Sequence, residues 1–473
     1  MTERKFVRLF IFTVAIVLSL LAIVWNGTAD SGDSVNHYLF SKWAMAHPEN
    51  FFDAWAKPLY VLLTQPFVQG SFTGVKFFNI LNFIVAMIAT YLTAKKLELR
   101  NSWLVTVLLV LAPMNFALAL SGLTEPLFGT VLICGLCLLF HNKNVAGLVV
   151  LSFLPFVRSE GMFMLIIIAA YLITQKKYVS IVWLAIGQAL YAVIGCFKFH
   201  SLLWFYAANP YSLKSRYGHG DFAAYFNSLH LVIGSASQFF LGIGVLAVII
   251  TFVAKVAKKQ PLPWQLVLIM SLFLAYFFFH VIAWKYGLFA SFGMTRIIVA
   301  MAPLMAILCL YGLNAITGFI KDEKVQKTIT IALVALIVMV NGIKMYKILA
   351  TMGEGEPGFS IKLEADQDIE DEMAHYIQRH YPDYKTKVLI YDAPYVAAAL
   401  GVDPFSDKRR YHLEGDGKMP TGSYLIWDDW FAVVEGGIKL EDVTKDNAAI
   451  RDTSFSRYDA GGKERTVILF HKN

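Results

Sequence analysis

Long apolar runs separated by short polar segments fill the first 350 residues of the chain. A helix of about 20 apolar residues crosses the hydrocarbon core of a bilayer. The runs predict eleven membrane-spanning helices, near residues 6–25, 73–94, 103–120, 125–140, 145–157, 161–174, 178–198, 231–254, 264–284, 296–316 and 328–346. The pattern therefore predicts an all-α polytopic membrane bundle over residues 1–350.

Three neighbouring spans, at 125–140, 145–157 and 161–174, are short, and Arg158-Ser-Glu160 separates the last two. We expect these spans to be tilted or to end at a cavity inside the protein. The first span resembles a signal peptide, but its apolar run is too long and no small-x-small cleavage site follows it. We expect it to remain as a membrane anchor.

Basic residues set the predicted orientation, because lysine and arginine concentrate in cytoplasmic connections. With a cytoplasmic N-terminus, the long connections 26–72 and 199–230 and the tail after residue 346 lie outside the cell. Every inner segment then carries basic residues: Arg4, Lys5 and Arg8; Lys95, Lys96 and Arg100; Lys143; Lys176 and Lys177; Lys255, Lys258 and Lys259; Lys321, Lys324 and Lys327.

Residues 351–473 have the composition of a soluble domain and open with a Gly/Glu/Pro linker at 353–358. A helix-like segment at 366–380 precedes apolar runs at 387–392, 423–427 and 466–470. Mixed helix and strand patterns of this kind are typical of a small α/β domain. We predict such a domain on the extracytoplasmic side.

Composition supports the membrane assignment, since 57% of the residues are hydrophobic and 16% are charged. A soluble globule does not have this balance. The net charge of +7 comes largely from basic clusters between apolar runs, which act as topology signals and do not indicate nucleic-acid binding. The four cysteines lie in apolar segments and are interpreted as buried packing residues.

The first outer connection carries two acidic residues, Asp30 and Asp33, close to the membrane. His37 follows Asp33 by four residues and shares its helical face, and Tyr38 comes next. Three further polar groups stand at the outer ends of predicted spans: Thr124-Glu125, Arg158-Ser-Glu160 and Thr295-Arg296. Ionisable groups at such depths usually face a water-filled cavity or each other. A group of carboxylates and arginines is suited to a reaction in which an arginine stabilises a negatively charged leaving group and a carboxylate removes the proton of the acceptor.

Each residue also has a purely structural interpretation. Asp30 or Asp33 caps the helix that begins near Ser34, and Glu125 is a first-turn acid favoured by the helix dipole. Arg158 and Glu160 form an ion pair that closes a tight turn. Arg296 extends its charge to the lipid headgroups, while His37 only orients a neighbour.

The order of these motifs resembles the GT-C superfamily of polytopic glycosyltransferases, which includes protein O-mannosyltransferases, aminoarabinose transferases of lipid A and GPI mannosyltransferases. The resemblance covers about the first 310 residues. It rests on the acidic first loop, Trp-x-Lys-Pro-x-Tyr at 55–60, Ser-Gly-x-Thr-Glu-Pro at 121–126, Arg-x-Glu-Gly at 158–161 and Arg-x6-Pro-Leu at 296–304. Many members have an Asp-Glu pair in the first loop, whereas Ser34 follows Asp33 here. The choice between Asp33 and Asp30 therefore stays open.

The resemblance implies transfer of a sugar from a polyprenyl-phosphate donor to a lipid, glycan or protein acceptor outside the cell, with inversion. It implies Asp33, or else Asp30, as general base. The donor phosphate is then bound by Arg296, Arg158 and Lys57. His37, Tyr38, Glu125 and Glu160 orient the acceptor. We predict no metal requirement, because no spacing of the carboxylates demands a metal ion, although the carboxylates also offer a ligand set for a divalent metal.

Three other functions are compatible with the sequence. Eleven spans with intramembrane charges fit a transporter, although no matched halves are visible. A surface-polysaccharide polymerase or ligase is also compatible, since Lys214, Arg216 and His219 lie in the second long outer loop. The third is a non-catalytic scaffold that presents the C-terminal domain. The chain carries no organelle-sorting tag, so we expect a bacterial plasma membrane protein.

Overall fold

A helical bundle followed by a five-stranded sheet makes up the computed structural model, which describes residues 2–208, 210–353, 359–410, 413, 418–445 and 448–472. The α-helices are Glu3–Val24, Asp33–Trp43, Pro58–Thr64, Phe72–Lys96, Leu104–Val110, Pro113–Leu118, Glu125–Phe140, Asn144–Leu151, Leu154–Val157, Gly161–Thr174, Ile186–Phe199, Trp204–Ala207, Ala224–Ile233, Ser235–Ala257, Trp264–Tyr286, Ala302–Gly318, Glu323–Ala350, Ala365–His380, Pro394–Leu400 and Leu440–Thr444. Short 3-10 helices span Pro48–Phe52, Tyr178–Ala185, Thr295–Met301 and Tyr384–Thr386, and a π-helical turn spans Phe431–Glu435.

Seven helical segments in the described residues are long and apolar enough to cross a membrane. They are Glu3–Val24, Phe72–Lys96, Tyr178–Phe199, Ser235–Ala257, Trp264–Tyr286, Thr295–Gly318 and Glu323–Ala350. The other predicted spans are also helical, but three are short, and the one at 103–120 is broken by Pro113 into two pieces. The membrane bundle is thus confirmed, while the count of eleven spans and the cytoplasmic N-terminus stay predictions.

Glycines bring two helices of the bundle into close contact. A Cβ atom on Gly244 would lie 2.0 Å from the carbonyl oxygen of Leu308, and one on Gly312 would lie 2.2 Å from that of Phe240. The backbones of Ser235–Ala257 and Ala302–Gly318 therefore touch directly. Small residues allow this approach between membrane helices, where packing replaces the hydrophobic effect. The segment Thr295–Gly318, which begins beside Arg296, is the most deeply buried of the seven.

The C-terminal region forms a mixed sheet of strands β1 (Val388–Tyr391), β2 (Arg409–Arg410), β3 (Ser423–Asp428), β4 (Ile450–Tyr458) and β5 (Glu464–Lys472), in the order β2-β1-β3-β5-β4. Strand β1 pairs in parallel with β2 and β3, whereas β5 is antiparallel to β3 and β4. All six residues of the central strand β3 are buried. The helix Ala365–His380 begins with a capping box between Glu364 and Gln367.

The predicted helix and the three predicted apolar strands are present in this region, which confirms its α/β character. Strand β4 was not predicted from the sequence, because its residues are mostly polar and lie at the edge of the sheet. In the predicted linker, residues 354–358 lie outside the described part of the chain. The domain boundary at residue 350 therefore stays a prediction.

The C-terminal region packs onto the connection after the first helix. The amide of Gly27 donates to the carbonyl of Ile361 at 2.8 Å, and a Cβ on Gly27 would lie 2.3 Å from the carbonyl carbon of Ile361. The side chain of Gln367 donates to the hydroxyl of Thr28 at 2.9 Å. The first long connection and the C-terminal region therefore share one end of the bundle, as predicted.

The glycine contact predicts a selective loss of stability in Gly244→Ala. The added methyl group meets backbone atoms, so the helices must separate, at a cost of about 1–3 kcal/mol. Gly242→Ala on the same helix is the matched control, because a Cβ there meets nothing within 4 Å. Thermal unfolding of the detergent-solubilised protein measures both, and equal melting temperatures would refute the close contact.

Candidate active site

Asp30 fixes the start of the helix Asp33–Trp43. Its Oδ1 accepts hydrogen bonds from the amides of Gly32 at 3.1 Å and Ser34 at 3.0 Å. These amides have no partner within the first helical turn, so the carboxylate supplies one. Of the two acids in this connection, Asp30 thus performs the capping role. Asp33 is the first residue of the helix, and its side chain is the more exposed, at 38% against 25%.

Arg296 lies between these two acids. Its Nη1 is 2.8 Å from Oδ2 of Asp30, and its Nη2 forms an ion pair with Oδ2 of Asp33. The guanidinium is buried at the start of the segment Thr295–Gly318. The Oδ1 atom of Asp33 has no partner within the described residues. One oxygen of Asp33 is therefore held by Arg296, while the other is available to a ligand.

A second arginine lies between two other carboxylates. Nη1 of Arg158 donates to Oε1 of Glu125 at 2.8 Å, and Nη2 donates to Oε1 of Glu160 at 3.0 Å. Nε2 of His280 lies 3.2 Å from the same Glu160 oxygen. All four side chains are largely or fully buried, and Oε2 of Glu125 has no partner in the described residues. The predicted ion pair of Arg158 and Glu160 is thus one part of a larger network.

His37 lies among the positive side chains of both groups. Its ring stacks on Trp55 at a centroid distance of 5.0 Å and contacts Tyr60 at 5.3 Å. Burial, and then the charges of Lys57, Arg296 and Arg158, hold the pKa of His37 well below its ordinary value. His37 is therefore neutral near pH 7 and can accept or donate a hydrogen bond.

Lys57 is a buried cation of a different kind. Its side chain is 5% exposed, and Nζ donates to the carbonyl of Ala54 at 3.2 Å and to the hydroxyl of Tyr211 at 2.5 Å. No described carboxylate lies within ion-pair distance of it, although an ammonium group carries three donors. Its backbone is also in the left-handed region, at φ +69°, immediately before Pro58. Strained residues of this type cluster at functional sites.

Tyr38 points away from this group. Its ring packs edge-on against Phe72 at 5.4 Å, and Nζ of Lys42 lies 5.3 Å from its centroid. Consecutive residues of a helix lie on different faces, so the side chain of Tyr38 does not share the face of His37. These contacts give Tyr38 a packing role, and they include none of the other candidate residues.

Carboxylates of the C-terminal region approach Asp30 from the other side. Burial, then the charges of Asp366 and Asp30, raise the pKa of Glu364 to about 8. Burial, then Asp366 and Asp428, also raises the pKa of Glu370 well above its ordinary value, and neither Glu370 oxygen has a partner in the described residues. Much of Glu364 is therefore protonated near pH 7, which limits its repulsion of Asp30.

The two acidic groups of the site are not arranged as a metal centre within the described residues. Among the described residues, no group of three or more His, Cys, Asp or Glu side chains is arranged to hold a metal ion. The carboxylates Asp30, Asp33, Glu125 and Glu160 instead contact arginines. Metal independence stays a prediction.

The structure thus gathers Asp30, Asp33, His37, Lys57, Glu125, Arg158, Glu160 and Arg296 at one end of the bundle. Sequence reasoning missed two members, His280 and Tyr211. The available signal for His280 was an ionisable residue inside an otherwise apolar helix. Tyr211 gave no such signal, because it lies in an irregular connection.

No known family model matches the chain, and no curated protein matches it in sequence. Its structure matches that of ArnT from Cupriavidus metallidurans bound to undecaprenyl phosphate with a TM-score of 0.59 and 10% identity, over 98% of this chain and 97% of that one. It also matches the Archaeoglobus fulgidus oligosaccharyltransferase tethered with an acceptor peptide, with a TM-score of 0.58 and 11% identity, over 96% and 73% of the two chains.

A second structure of that oligosaccharyltransferase, AglB in complex with an inhibitory peptide and a dolichol-phosphate, matches with a TM-score of 0.55, over 84% of this chain and 64% of that one. Identities near 10% establish the fold alone. These neighbours have the GT-C fold, so the fold that the motif order implied is confirmed.

The arginine network predicts a large loss of stability in Arg158→Gln. Glu125 and Glu160 are then buried without a cation, at a cost of about 3–5 kcal/mol. Arg457→Gln is the control, because Arg457 also contacts two carboxylates, Asp368 and Glu372, but is 43% exposed. An exposed pair contributes at most about 1 kcal/mol. Thermal unfolding in detergent compares the two, and a larger shift in the control would contradict the assignment.

Proposed function

We propose that this chain is a membrane glycosyltransferase that transfers a sugar from a polyprenyl-phosphate donor to an extracytoplasmic acceptor, with inversion. The observation that carries the proposal is the position of Lys57, a buried cation without a carboxylate partner in the described residues. Its charge acts on His37, which lies one helical turn after the half-buried acid Asp33. An anionic ligand would pair with the ammonium group of Lys57, and a hydroxyl group would donate a hydrogen bond to the carboxylate of Asp33.

Of the three cations predicted to bind the donor phosphate, Lys57 is the best candidate for direct contact with it. Arg296 already faces Asp30 and Asp33, and Arg158 already faces Glu125 and Glu160. A phosphate beside either arginine therefore meets carboxylates as well. Beside Lys57 it meets an ammonium group, the Tyr211 hydroxyl and the neutral ring of His37. We assign the donor phosphate to Lys57, with Arg296 and Arg158 adding longer-range positive charge.

Asp33 is the better candidate for the general base. Asp30 is occupied by two backbone amides and by Arg296, whereas one oxygen of Asp33 has no partner in the described residues. A base must reach the proton that it removes. The pairing with Arg296 holds the other Asp33 oxygen and thereby orients the carboxylate.

The reaction follows from these positions. The acceptor hydroxyl gives its proton to Asp33 as its oxygen forms a bond to the anomeric carbon. The bond from that carbon to the phosphate oxygen breaks, and the phosphate leaves with the electron pair towards Lys57. Attack from the side opposite the leaving group inverts the anomeric configuration. Glu125 and Glu160 position Arg158, and His37 orients the bound groups without a metal ion.

Two further observations support a transferase over a transporter. The contacting charges lie where helices begin or end, at the end of the bundle that holds the C-terminal region, whereas carrier sites lie near the midplane. The fold neighbours were determined with undecaprenyl phosphate and with dolichol-phosphate. We place the site on the outer face of a bacterial plasma membrane.

The proposal predicts that Asp33→Asn loses sugar transfer by about 10²- to 10⁴-fold, the usual contribution of a general base. The assay follows conversion of radiolabelled undecaprenyl-phosphate sugars, with hexose, aminosugar and pentose head groups, by full-length protein in nanodiscs with bacterial envelope extract as acceptor. Asn keeps the side-chain shape, and Asp30 still compensates the charge of Arg296, so the fold should persist.

Asp30→Asn is the matched control, because an Asn side chain still caps the helix. It should keep most of the transfer activity. Full activity in Asp33→Asn would remove Asp33 as the base, and loss only in Asp30→Asn would transfer that role to Asp30. Conversion of none of the donors by the wild-type protein would refute the proposed reaction itself.

A further inference from the structure

Three aromatic side chains from separate parts of the chain lie side by side near the candidate base. The Tyr217 and Phe292 centroids are 4.6 Å apart, and those of Phe292 and Trp430 are 6.5 Å apart with ring planes 22° apart. Phe292 is 38% exposed, and the other two rings are half-buried. We refer to Tyr217, Phe292 and Trp430 as the aromatic platform.

Both ends of the aromatic platform lie near the pair formed by Asp33 and Arg296. Trp430 precedes Phe431, whose ring lies 3.4 Å from the position of a Cβ on Gly32, the neighbour of Asp33. At the other end, Phe292 lies four residues before Arg296. Trp430 therefore adjoins the residue that contacts the segment of Asp33, and Phe292 lies on the segment that leads to Arg296.

The π-helical turn after strand β3 is held rigidly, which fixes Trp430. The carboxylate of Asp428 accepts hydrogen bonds from the amides of Trp430, Phe431 and Ala432. Glu435, at the end of the same turn, accepts from the hydroxyl of Tyr217 at 2.7 Å and pairs with Arg216 at 2.9 Å. The C-terminal region and the second outer connection thus form one wall.

The chemistry of this wall is that of a carbohydrate site. Its faces are aromatic, and its edges carry Arg216, Glu435 and the indole N–H of Trp430, which has no hydrogen-bond partner in the described residues. Aromatic rings contribute apolar area together with polar atoms at their edges. A few polar groups on an apolar surface fix the orientation of a ligand. An acyl chain would leave the indole N–H of Trp430 without a hydrogen-bond partner, whereas a sugar hydroxyl can accept from it.

We propose that the aromatic platform binds the face of a sugar ring of the acceptor, so that the acceptor is a glycan and the C-terminal region helps to select it. This inference rests on the proposed glycosyltransferase function. Trp430 binds substrate in this account, and Asp428 is a positioning residue that acts through the turn.

Saturation-transfer difference NMR tests the platform without requiring turnover. The probes are methyl α-mannoside, methyl β-glucoside and chitobiose, with acetylated serine and threonine tripeptides as non-sugar probes. The protein is the full chain in nanodiscs. We expect saturation of sugar ring protons by the wild-type protein and about fivefold less by Trp430→Ala, as expected for loss of one aromatic contact.

Two variants separate stacking from general disruption. Tyr458→Ala removes an aromatic side chain that is 69% exposed on β4 and should leave the saturation unchanged. Trp430→Phe keeps a ring and should retain most of the effect. The platform would be overturned if Trp430→Ala gave the same signal as the wild type, or if Trp430→Phe did not restore the signal lost in Trp430→Ala. It would also be overturned by the same loss in Tyr458→Ala, by signals from the peptides alone, or by no sugar signal from the wild type.

Sugar binding measured by NMR and donor conversion measured in the transfer assay test the platform and the proposed reaction separately. Donor conversion without sugar binding at Trp430 refutes the platform and leaves the transferase. Sugar binding that depends on Trp430, with no conversion of any donor, refutes the transferase and leaves a glycan-binding membrane protein.

Discussion

The contact of buried Arg296 with Asp30 and Asp33 is the interaction on which the site depends. A buried guanidinium is costly unless carboxylates compensate its charge. Compensation here requires that the first long connection meet the start of the central segment Thr295–Gly318. Asp30 also holds the amides at the start of the helix Asp33–Trp43. One charge balance therefore fixes Asp33, which we propose as the base, together with the helix that carries it and the start of the segment Thr295–Gly318.

The same principle explains why the three cations differ. Arg296 and Arg158 each have two carboxylate partners, so they act as fixed structural charges in a region of low dielectric. Lys57 has hydroxyl and carbonyl partners instead. Lys57 is in a strained backbone conformation and contacts only neutral groups directly, and for this reason we propose it as the ligand of an anion. The C-terminal region packs against the same connection, and the raised pKa of Glu364 limits its repulsion of Asp30.

The sequence predicted the common location of Asp33, Glu125, Arg158 and Arg296, because each stands at the outer end of an apolar run and topology brings such ends together. It did not predict their pairing, which depends on helix packing. His280 was missed because it lies inside a span. Tyr38 contacts Phe72 and not the other candidate residues, because it lies on another helical face than His37, and its orienting role stays a prediction. Strand β4 was missed because its polar residues carry no apolar signal and are held by pairing with β5.

The most direct test of the central claim is a cryo-electron microscopy structure of the full chain with undecaprenyl phosphate. The account predicts phosphate density within about 3–4 Å of the Lys57 ammonium group, at the end of the bundle that carries Asp33, with the lipid tail leaving towards the membrane. Phosphate density at the opposite end of the bundle, or bound between Arg158 and Arg296 away from Lys57, would contradict it.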